Sequence, residues 1–224
     1  MTVSEKQKKI QINKGIQMDR ELRDIIHGYV MSDGHINAGG SLQVRHSIKQ
    51  RKFVEWLYKH LTVLRTPPPI RTVTRVDPRS NTKFTVCGFQ TRNILQGFHS
   101  LWYKKSKVGG KIRYIKSLPA NLACFFNPTF LSVWFAGDGT QMIGQRGAKF
   151  EVTCFTPEER RYLQQLFKQK FDINAKILRS GVRKTGTTQW SLSIPAGEYE
   201  KFRNLITQMD LIPTLFPYKL CKKV

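Results

Sequence analysis

The same short phrase occurs twice in this chain, as IHGYVMSDG at positions 26–34 and as LSVWFAGDG at positions 131–139. Each copy is an apolar run with helical spacing that ends in a small residue, an aspartate and a glycine. The two aspartates, Asp33 and Asp138, are 105 residues apart. Two similar helices at this separation predict a duplicated chain, in which one structural unit is present in two copies.

The segments around the two phrases repeat one order of elements: helix, strand, helix, hairpin and helix. In the second half, Asn127 is a predicted N-cap followed by Pro128, and Thr156 with Glu159 has the spacing of a capping box. The predicted elements cover residues 20–32, 41–47, 50–64, 71–89 and 91–102 in the first half, and 127–139, 148–155, 156–171, 174–194 and 197–209 in the second.

The composition indicates a folded chain with a polyanionic partner. Of the 224 residues, 40% are hydrophobic, which suffices for one large core or two small ones. The 38 Lys and Arg against 15 Asp and Glu give a net charge of +23, and nucleic acid is the first candidate for the compensating partner. No apolar segment reaches the roughly 20 residues of a membrane span. The N-terminus lacks the apolar stretch of a secretory signal, so a protein that is not secreted is expected.

The cysteines do not suggest a metal or disulfide framework. They form no CxxC pair and no spacing with histidine that is typical of zinc sites. Neither zinc nor disulfides are expected for these four residues, which are Cys87, Cys124, Cys154 and Cys221.

Each aspartate of the repeated phrase is predicted at the C-terminal end of a helix, where the carbonyl groups carry partial negative charge. Two such helices side by side compound the repulsion, and a hard divalent cation such as Mg2+ resolves it. Small residues at Gly28 and Ser32, and at 136–137 in the other copy, allow the backbones to approach closely. Either Asp-Gly pair alone is explained by a helix stop and a turn, but the matched pair favours a metal site.

The two phrases resemble the nonapeptide that names the LAGLIDADG homing endonucleases, since each keeps the final Asp-Gly and the apolar positions. The whole-chain order is similar to that of the single-chain members over roughly residues 20–220. The second motif resembles WF-x-x-DG at 134–139 and is followed by FT-x-E-E at 155–159. The resemblance implies an α+β fold of two pseudo-symmetric αββαββα repeats, with antiparallel β-saddles for DNA and two central motif helices. It divides the chain into a basic arm (1–19), a first half (20–105), a linker with a site lysine (106–126) and a second half (127–224).

The same resemblance implies a site-specific, typically intron-encoded DNA endonuclease that hydrolyses a phosphodiester in each strand of a long target. Asp33 and Asp138 would bind Mg2+, with Mn2+ as a substitute, one carboxylate for each strand cut. The KSLP and YKL segments give Lys116 and Lys219 as catalytic residues that stabilise phosphate charge or orient water. These lysines are 103 residues apart, nearly the separation of the aspartates. The open alternative is that they touch only backbone phosphate or solvent.

The strands are expected to supply side chains of the types that read base edges in the major groove. Their apolar residues should form the opposite, helix-covered face, at Val44, Phe84, Val86, Phe150, Val152, Trp190 and Leu192. Hairpin tips are better placed for phosphates. The predicted DNA-binding residues are Gln43, Arg45, Arg71, Arg75, Lys83, Lys149, Glu151, Thr153, Lys176 and Gln189 on strands, with Arg79, Arg183 and Lys184 at tips.

Two other functions fit this scaffold: an RNA-binding intron maturase and a DNA-binding protein without nuclease activity. A maturase needs the basic surface but neither aspartate, so intron RNA is an alternative partner beside double-stranded DNA. Both acidic positions are intact, which favours the nuclease. Because the repeats are fused, a monomer is expected to cut both strands, with no membrane partner. Family habit points to an organelle (chloroplast or mitochondrion) or a microbial cytoplasm.

Overall fold

A computed structural model describes residues 17–78, 80–142 and 144–221, apart from the side chain of Val108. The first repeat runs in the order helix, two strands, helix, two strands, helix. Its elements are α1 (Arg20–Met31), β1 (His35–Ile36), β2 (Leu42–Ser47), α2 (Arg51–His60), β3 (Arg71–Val76), β4 (Lys83–Gln90) and α3 (Gln96–Trp102).

The second repeat has the same order and is preceded by a separate hairpin of β5 (Tyr103–Val108) and β6 (Lys111–Lys116). The sequence does not predict this hairpin, because its basic residues hide the strand alternation. The repeat itself comprises α4 (Pro128–Asp138), β7 (Gly139–Gln141), β8 (Ala148–Glu151), α5 (Pro157–Phe171), β9 (Lys176–Val182), β10 (Thr188–Ile194) and α6 (Tyr199–Ile206), followed by a short α7 (Leu211–Leu215).

Each repeat forms a four-stranded antiparallel sheet, and the two sheets have the same strand order. The order is β1-β2-β4-β3 in the first and β7-β8-β10-β9 in the second. The matched topology confirms the predicted α+β fold with two αββαββα repeats. By its contacts the described chain divides into two compact units, one of residues 17–23 and 33–101 and one of residues 24–32 and 102–221. The C-terminal part of α1 therefore belongs to the second unit.

Helix α4 begins and ends where the sequence predicts. The Oδ1 of Asn127 accepts a hydrogen bond from the N–H of Phe130 at 3.0 Å, and Pro128 is the first helical residue. Gly139 follows the last turn, and a Cβ there would lie 1.9 Å from the ring of Phe135. The packing of that ring therefore requires glycine. The capping box predicted at the start of α5 is also present.

In the first unit, α2 covers one face of the sheet through contacts with β2 and β4. Strand β2 alternates buried and exposed residues along its length. His46 belongs to the buried set: its Nδ1 is 2.7 Å from Oε1 of Gln50, and its ring lies edge-on to Phe53. The core of this unit includes Leu42, Val44, Phe53, Val54, Leu57, Leu61, Cys87, Phe89 and Phe98.

In the second unit, an aromatic cluster joins α4 to its sheet and to α5 and α6. Trp134 stacks on Phe150 with 4.0 Å between ring centroids. Phe150 also contacts Phe167 on α5 and Phe202 on α6. All four side chains are fully buried, and rings of this kind each remove about 150–250 Å² from water. Within the described residues, no helix is long and apolar enough to cross a bilayer.

Candidate active site and nucleic-acid interface

The two motif helices pack together through a glycine in the second unit. The Nδ2 of Asn127, just before α4, donates to Oδ2 of Asp24 on α1 at 2.6 Å. Further along, a Cβ at Gly28 would lie 2.6 Å from the carbonyl oxygen of Phe130 and 2.9 Å from Cβ of Val133. The contacts advance in the same direction along both helices, so the helices are parallel. The close approach predicted at Gly28 is confirmed, and both C-terminal ends lie at one end of the pair.

Lys219 holds the C-terminal end of α4. It is only 7% exposed, and its Nζ donates to the carbonyl oxygens of Phe135 at 3.1 Å, Ala136 at 2.6 Å and Gly137 at 3.1 Å. An ammonium group has three protons, so these three carbonyls match its donor capacity. The cation complements the negative end of the helix dipole. Lys219 therefore fixes the helical turn that immediately precedes Asp138.

Lys116, the last residue of β6, holds the end of α1 in the same way. Its Nζ donates to the carbonyl oxygens of Val30 at 2.7 Å and Ser32 at 2.9 Å. The hydroxyl of Ser32 donates a hydrogen bond to the carbonyl oxygen of Tyr29 in the same helix at 3.2 Å. The two lysines predicted from the sequence thus make equivalent contacts, each on the helix turn before a motif aspartate.

The motif aspartates are positioned by these helix ends. Asp33 is exposed in the turn after α1, and Asp138 is the half-buried last residue of α4. Among the residues that the structure describes, no three His, Cys, Asp or Glu side chains come together. Mg2+ is commonly held by one or two carboxylates together with waters and substrate phosphates. Each helix end therefore supplies one carboxylate, an oxygen donor of the kind that Mg2+ accepts.

The charges of Lys116 and Asp138 both affect the pKa of the Cys154 thiol, in the segment after β8. Desolvation raises the pKa of the Cys154 thiol above its usual range, Lys116 opposes that rise, and Asp138 adds to it. A cation and a carboxylate thus act on the same point after β8. The sequence does not indicate this proximity, because the three residues lie in different elements.

Three of the predicted DNA-binding arginines line one face of the first unit's sheet. Arg45 on β2 and Arg71 on β3 both lie opposite Gly88 of β4, and Arg75 follows on the same face of β3. All three arginines are exposed. A groove of about 400 Å³ runs along this face, and Gln43 is also in its wall.

The side chains of strand β4 lie on the opposite faces of the sheet from those predicted. Phe84 lies across from Arg75, so Phe84 and Val86 share the face of the arginines, whereas Lys83 lies on the other face. The buried residues of this strand are the cysteine and phenylalanine at 87 and 89. The assignment of Phe84 and Val86 to the helix-covered face is therefore wrong. Apolar residues at 84, 86, 87 and 89 fit either alternation, so periodicity alone could not decide.

In the second unit, Lys149, Glu151 and Lys176 share one face of the sheet. Lys149 and Lys176 both lie across from Ser193 on β10, and Glu151 lies across from Ser191. Residues 150, 152 and 192 are buried on the helix-covered side, as predicted. The alternation of β8 was therefore predicted correctly, because only one of its two sets of alternate residues is apolar.

The ends of the second sheet hold the remaining predicted residues. Gln189 is half-buried beside a register shift in β10. The hydroxyl of Thr153 accepts a hydrogen bond from the N–H of Trp190 at 2.7 Å, so this side chain is engaged with the main chain rather than turned outward. Arg183 and Lys184 are exposed in the turn after β9. Arg79 lies outside the described residues.

The β5–β6 hairpin is a basic element that the sequence-based division places mostly in the linker. Its turn contains two glycines, Gly109 and Gly110, with φ of 57° and 76°, which suits a two-residue hairpin turn. Its strands carry no acidic residue, and Ile112 and Tyr114 are exposed on them. Its six basic residues are Lys104, Lys105, Lys107, Lys111, Arg113 and Lys116.

Comparison with known proteins gives the family. The model of the LAGLIDADG DNA endonuclease family matches residues 23–202 of this chain. The match covers most of the sequence, so the protein belongs to the LAGLIDADG DNA endonuclease family. A search of curated proteins found no match.

Solved structures share the fold. The chain is similar to the homing endonuclease I-WcaI bound to its DNA recognition sequence, with a TM-score of 0.75 and 19% identity over 99% of this chain and 93% of that one. It is also similar to full-length WhiA from Thermatoga maritima (TM-score 0.51, 15% identity, 98% of this chain and 67% of that one). An I-DmoI variant in complex with nicked target DNA in the presence of Mn gives a TM-score of 0.50 at 11% identity over 86% of this chain and 98% of that one. At such identities the similarity concerns the fold.

Proposed function

We propose that this protein is a homing endonuclease that makes a metal-dependent double-strand cut in a long DNA target. The observation that carries the proposal is the duplicated arrangement of a lysine, a helix end and an aspartate. Lys116 binds the last turn of α1 before Asp33, and Lys219 binds the last turn of α4 before Asp138. A duplex has two strands, and two equivalent sites in one chain are what a double-strand cut requires.

In this proposal Asp33 and Asp138 hold the metal, Mg2+ or Mn2+. When bound, such a cation supplies a nucleophile from water at neutral pH and stabilises the charge on the leaving oxygen. Lys219 donates its hydrogen bonds to helix carbonyls. It would therefore stabilise the phosphate through its positive charge and by fixing the position of Asp138. Lys116 acts in the same way at the other helix end.

DNA would lie on the outward faces of the two sheets. Arginine and lysine on exposed strands supply both bidentate base contacts and phosphate contacts. The corrected face of β4 adds Phe84 and Val86, whose apolar surface suits thymine methyl groups. The β5–β6 hairpin adds a basic ribbon for phosphates. Because the repeats are fused in one chain, a monomer would suffice for both cuts.

Cleavage of a randomised DNA library tests the proposal. The wild-type protein with Mg2+ should give discrete double-strand breaks at one long site and none with EDTA. The double variant Asp33→Asn with Asp138→Asn keeps the shape and loses both charges, so it should bind the same site without cutting. Tight binding of DNA or structured RNA by the wild type, with no cleavage in Mg2+ or Mn2+, would refute the nuclease and support a regulator or maturase.

A further inference from the structure

Two residues after each site lysine, a backbone N–H donates a hydrogen bond to a side chain that is remote in sequence. The residue two positions after Lys116 is Leu118, and the residue two positions after Lys219 is Cys221. Both of these N–H groups donate to side-chain oxygens of helices that are remote in sequence. The offset is the same in both copies, although the two acceptors are chemically different.

Glu159 is the acceptor behind Lys116. It is the third residue of α5, and its carboxylate is shared between two tasks. Oε2 accepts from the N–H of Thr156 at 2.9 Å and completes the capping box. Oε1 accepts from the N–H of Leu118 at 2.8 Å. A capping box needs only the first of these contacts, so the second is an additional tether on the segment that follows Lys116.

Tyr199 is the acceptor behind Lys219. It is the first residue of α6, its side chain is fully buried, and its hydroxyl oxygen accepts from the N–H of Cys221 at 2.7 Å. The chain from 217 to 220, just before Cys221, is a short 3-10 turn and an extended residue. Outside regular secondary structure, such a segment depends on contacts of this kind to keep its position.

We propose that Glu159 and Tyr199 are positioning residues for the two cleavage sites, each acting through one lysine. The inference rests on the proposed function. A lysine side chain is flexible, and its Nζ reaches the helix carbonyls only if its main chain is fixed. Glu159 fixes the main chain beyond Lys116, and Tyr199 fixes it beyond Lys219. Since each lysine binds a different motif helix, loss of one tether should impair one site and leave the other intact.

The test is strand-resolved cleavage. A duplex containing the target site, with the two strands labelled differently, is cut under single-turnover conditions with saturating protein and Mg2+. Lys116→Met and Lys219→Met first define which strand depends on which lysine. Tyr199→Phe, which removes only the hydroxyl, should slow the Lys219-dependent strand by roughly tenfold to a hundredfold, the range for a small misplacement of a catalytic group. Glu159→Ala should slow the Lys116-dependent strand, and Glu159→Gln, which retains one acceptor oxygen, should recover part of the rate.

Two control variants separate positioning from general loss of stability. Tyr162→Phe removes the hydroxyl of a half-buried tyrosine on α5 and leaves in place both oxygens that accept from the N–H groups of Leu118 and Cys221. Thr156→Ala removes the other half of the capping box and leaves the oxygen that faces Leu118 in place. Both controls should cut the two strands in the wild-type ratio. DNA affinity measured without divalent metal should be unchanged in the Tyr199, Glu159 and control variants.

The outcomes are distinguishable. Accumulation of opposite nicked strands in Tyr199→Phe and Glu159→Ala supports the proposal. If these variants slow both strands equally, or match their controls while the lysine variants remain strand-selective, the positioning roles are refuted and the proposed function stands. If the lysine variants themselves cut both strands at the wild-type rate, the role assigned to the lysines fails and this inference fails with it.

Discussion

Gly28 should tolerate no side chain, although it lies in a helix where alanine is ordinarily favoured. An added Cβ would lie 2.6 Å from the carbonyl oxygen of Phe130 and 2.9 Å from Cβ of Val133. Neither atom is at the end of a flexible side chain, so α1 and α4 must separate to admit the methyl group. The predicted effect of Gly28→Ala is therefore destabilisation.

The size of this effect follows from two opposing contributions. Alanine gains about 1 kcal/mol over glycine inside a helix. Overpacking a tight contact costs about 1–3 kcal/mol, and the upper value applies because the obstruction is backbone. The net loss is about 2 kcal/mol, which lowers the Tm of a chain of this size by roughly 4–8 °C.

Thermal unfolding followed by circular dichroism measures this shift. Gly197→Ala is the matched control, because a Cβ there meets nothing within 4 Å. Its Tm should stay within about 2 °C of the wild type, since such surface changes stay within about 0.5 kcal/mol. A Tm for Gly28→Ala equal to or above the wild-type value would refute the close packing of the two motif helices.

Three further predictions concern charge and hydrogen bonding. Lys219→Met leaves three helix carbonyls without their donor and should lower the free energy of unfolding by about 1–3 kcal/mol in urea titrations, whereas an unchanged midpoint would contradict its buried capping role. Replacing Lys105 and Lys107, which share one face of β5, together by Gln should reduce the slope of log affinity against log salt by about 2, and an unchanged slope would remove the β5–β6 hairpin from the DNA interface. Burial raises the pKa of Tyr199 to about 12 from an ordinary value of 10.0, so the folded state retains a proton that the unfolded state loses. The contribution of this group to the free energy of unfolding is complete below pH 10 and is lost as the pH rises from about 10 to 12. The free energy of unfolding, measured by urea titration across this pH range, should therefore fall more steeply in the wild type than in Tyr199→Phe, and parallel curves would contradict the raised pKa.

The duplicated fold could be predicted because its signals are local or are repeated at matched spacing. Asn127, Pro128 and Gly139 delimit α4 by capping and ring packing alone, and the structure shows each in its predicted role. Asp33 and Asp138 are recognisable because each closes an apolar helix at equivalent positions. Such features need no knowledge of which strand pairs with which.

The rest depends on tertiary contacts that sequence spacing does not encode. Strand β4 has apolar residues in both alternations, and pairing with β3 decides that Phe84 faces outward. The family resemblance of the KSLP and YKL segments predicts Lys116 and Lys219 as site lysines, but their binding to helix carbonyls follows from the packing of separate segments. Thr153 has the side chain of a base-reading residue, yet its hydroxyl is engaged by the main chain of β10.

Strand-resolved cleavage of the target by Asp33→Asn and Asp138→Asn, each as a single substitution, tests the paired-aspartate mechanism most directly. Both side chains keep their shape and lose only the charge that would hold Mg2+. Two metal-dependent sites predict that either substitution reduces double-strand breaks to nicks or to nothing, with DNA binding retained. Double-strand cleavage at the wild-type rate by either variant would contradict the assignment of these carboxylates.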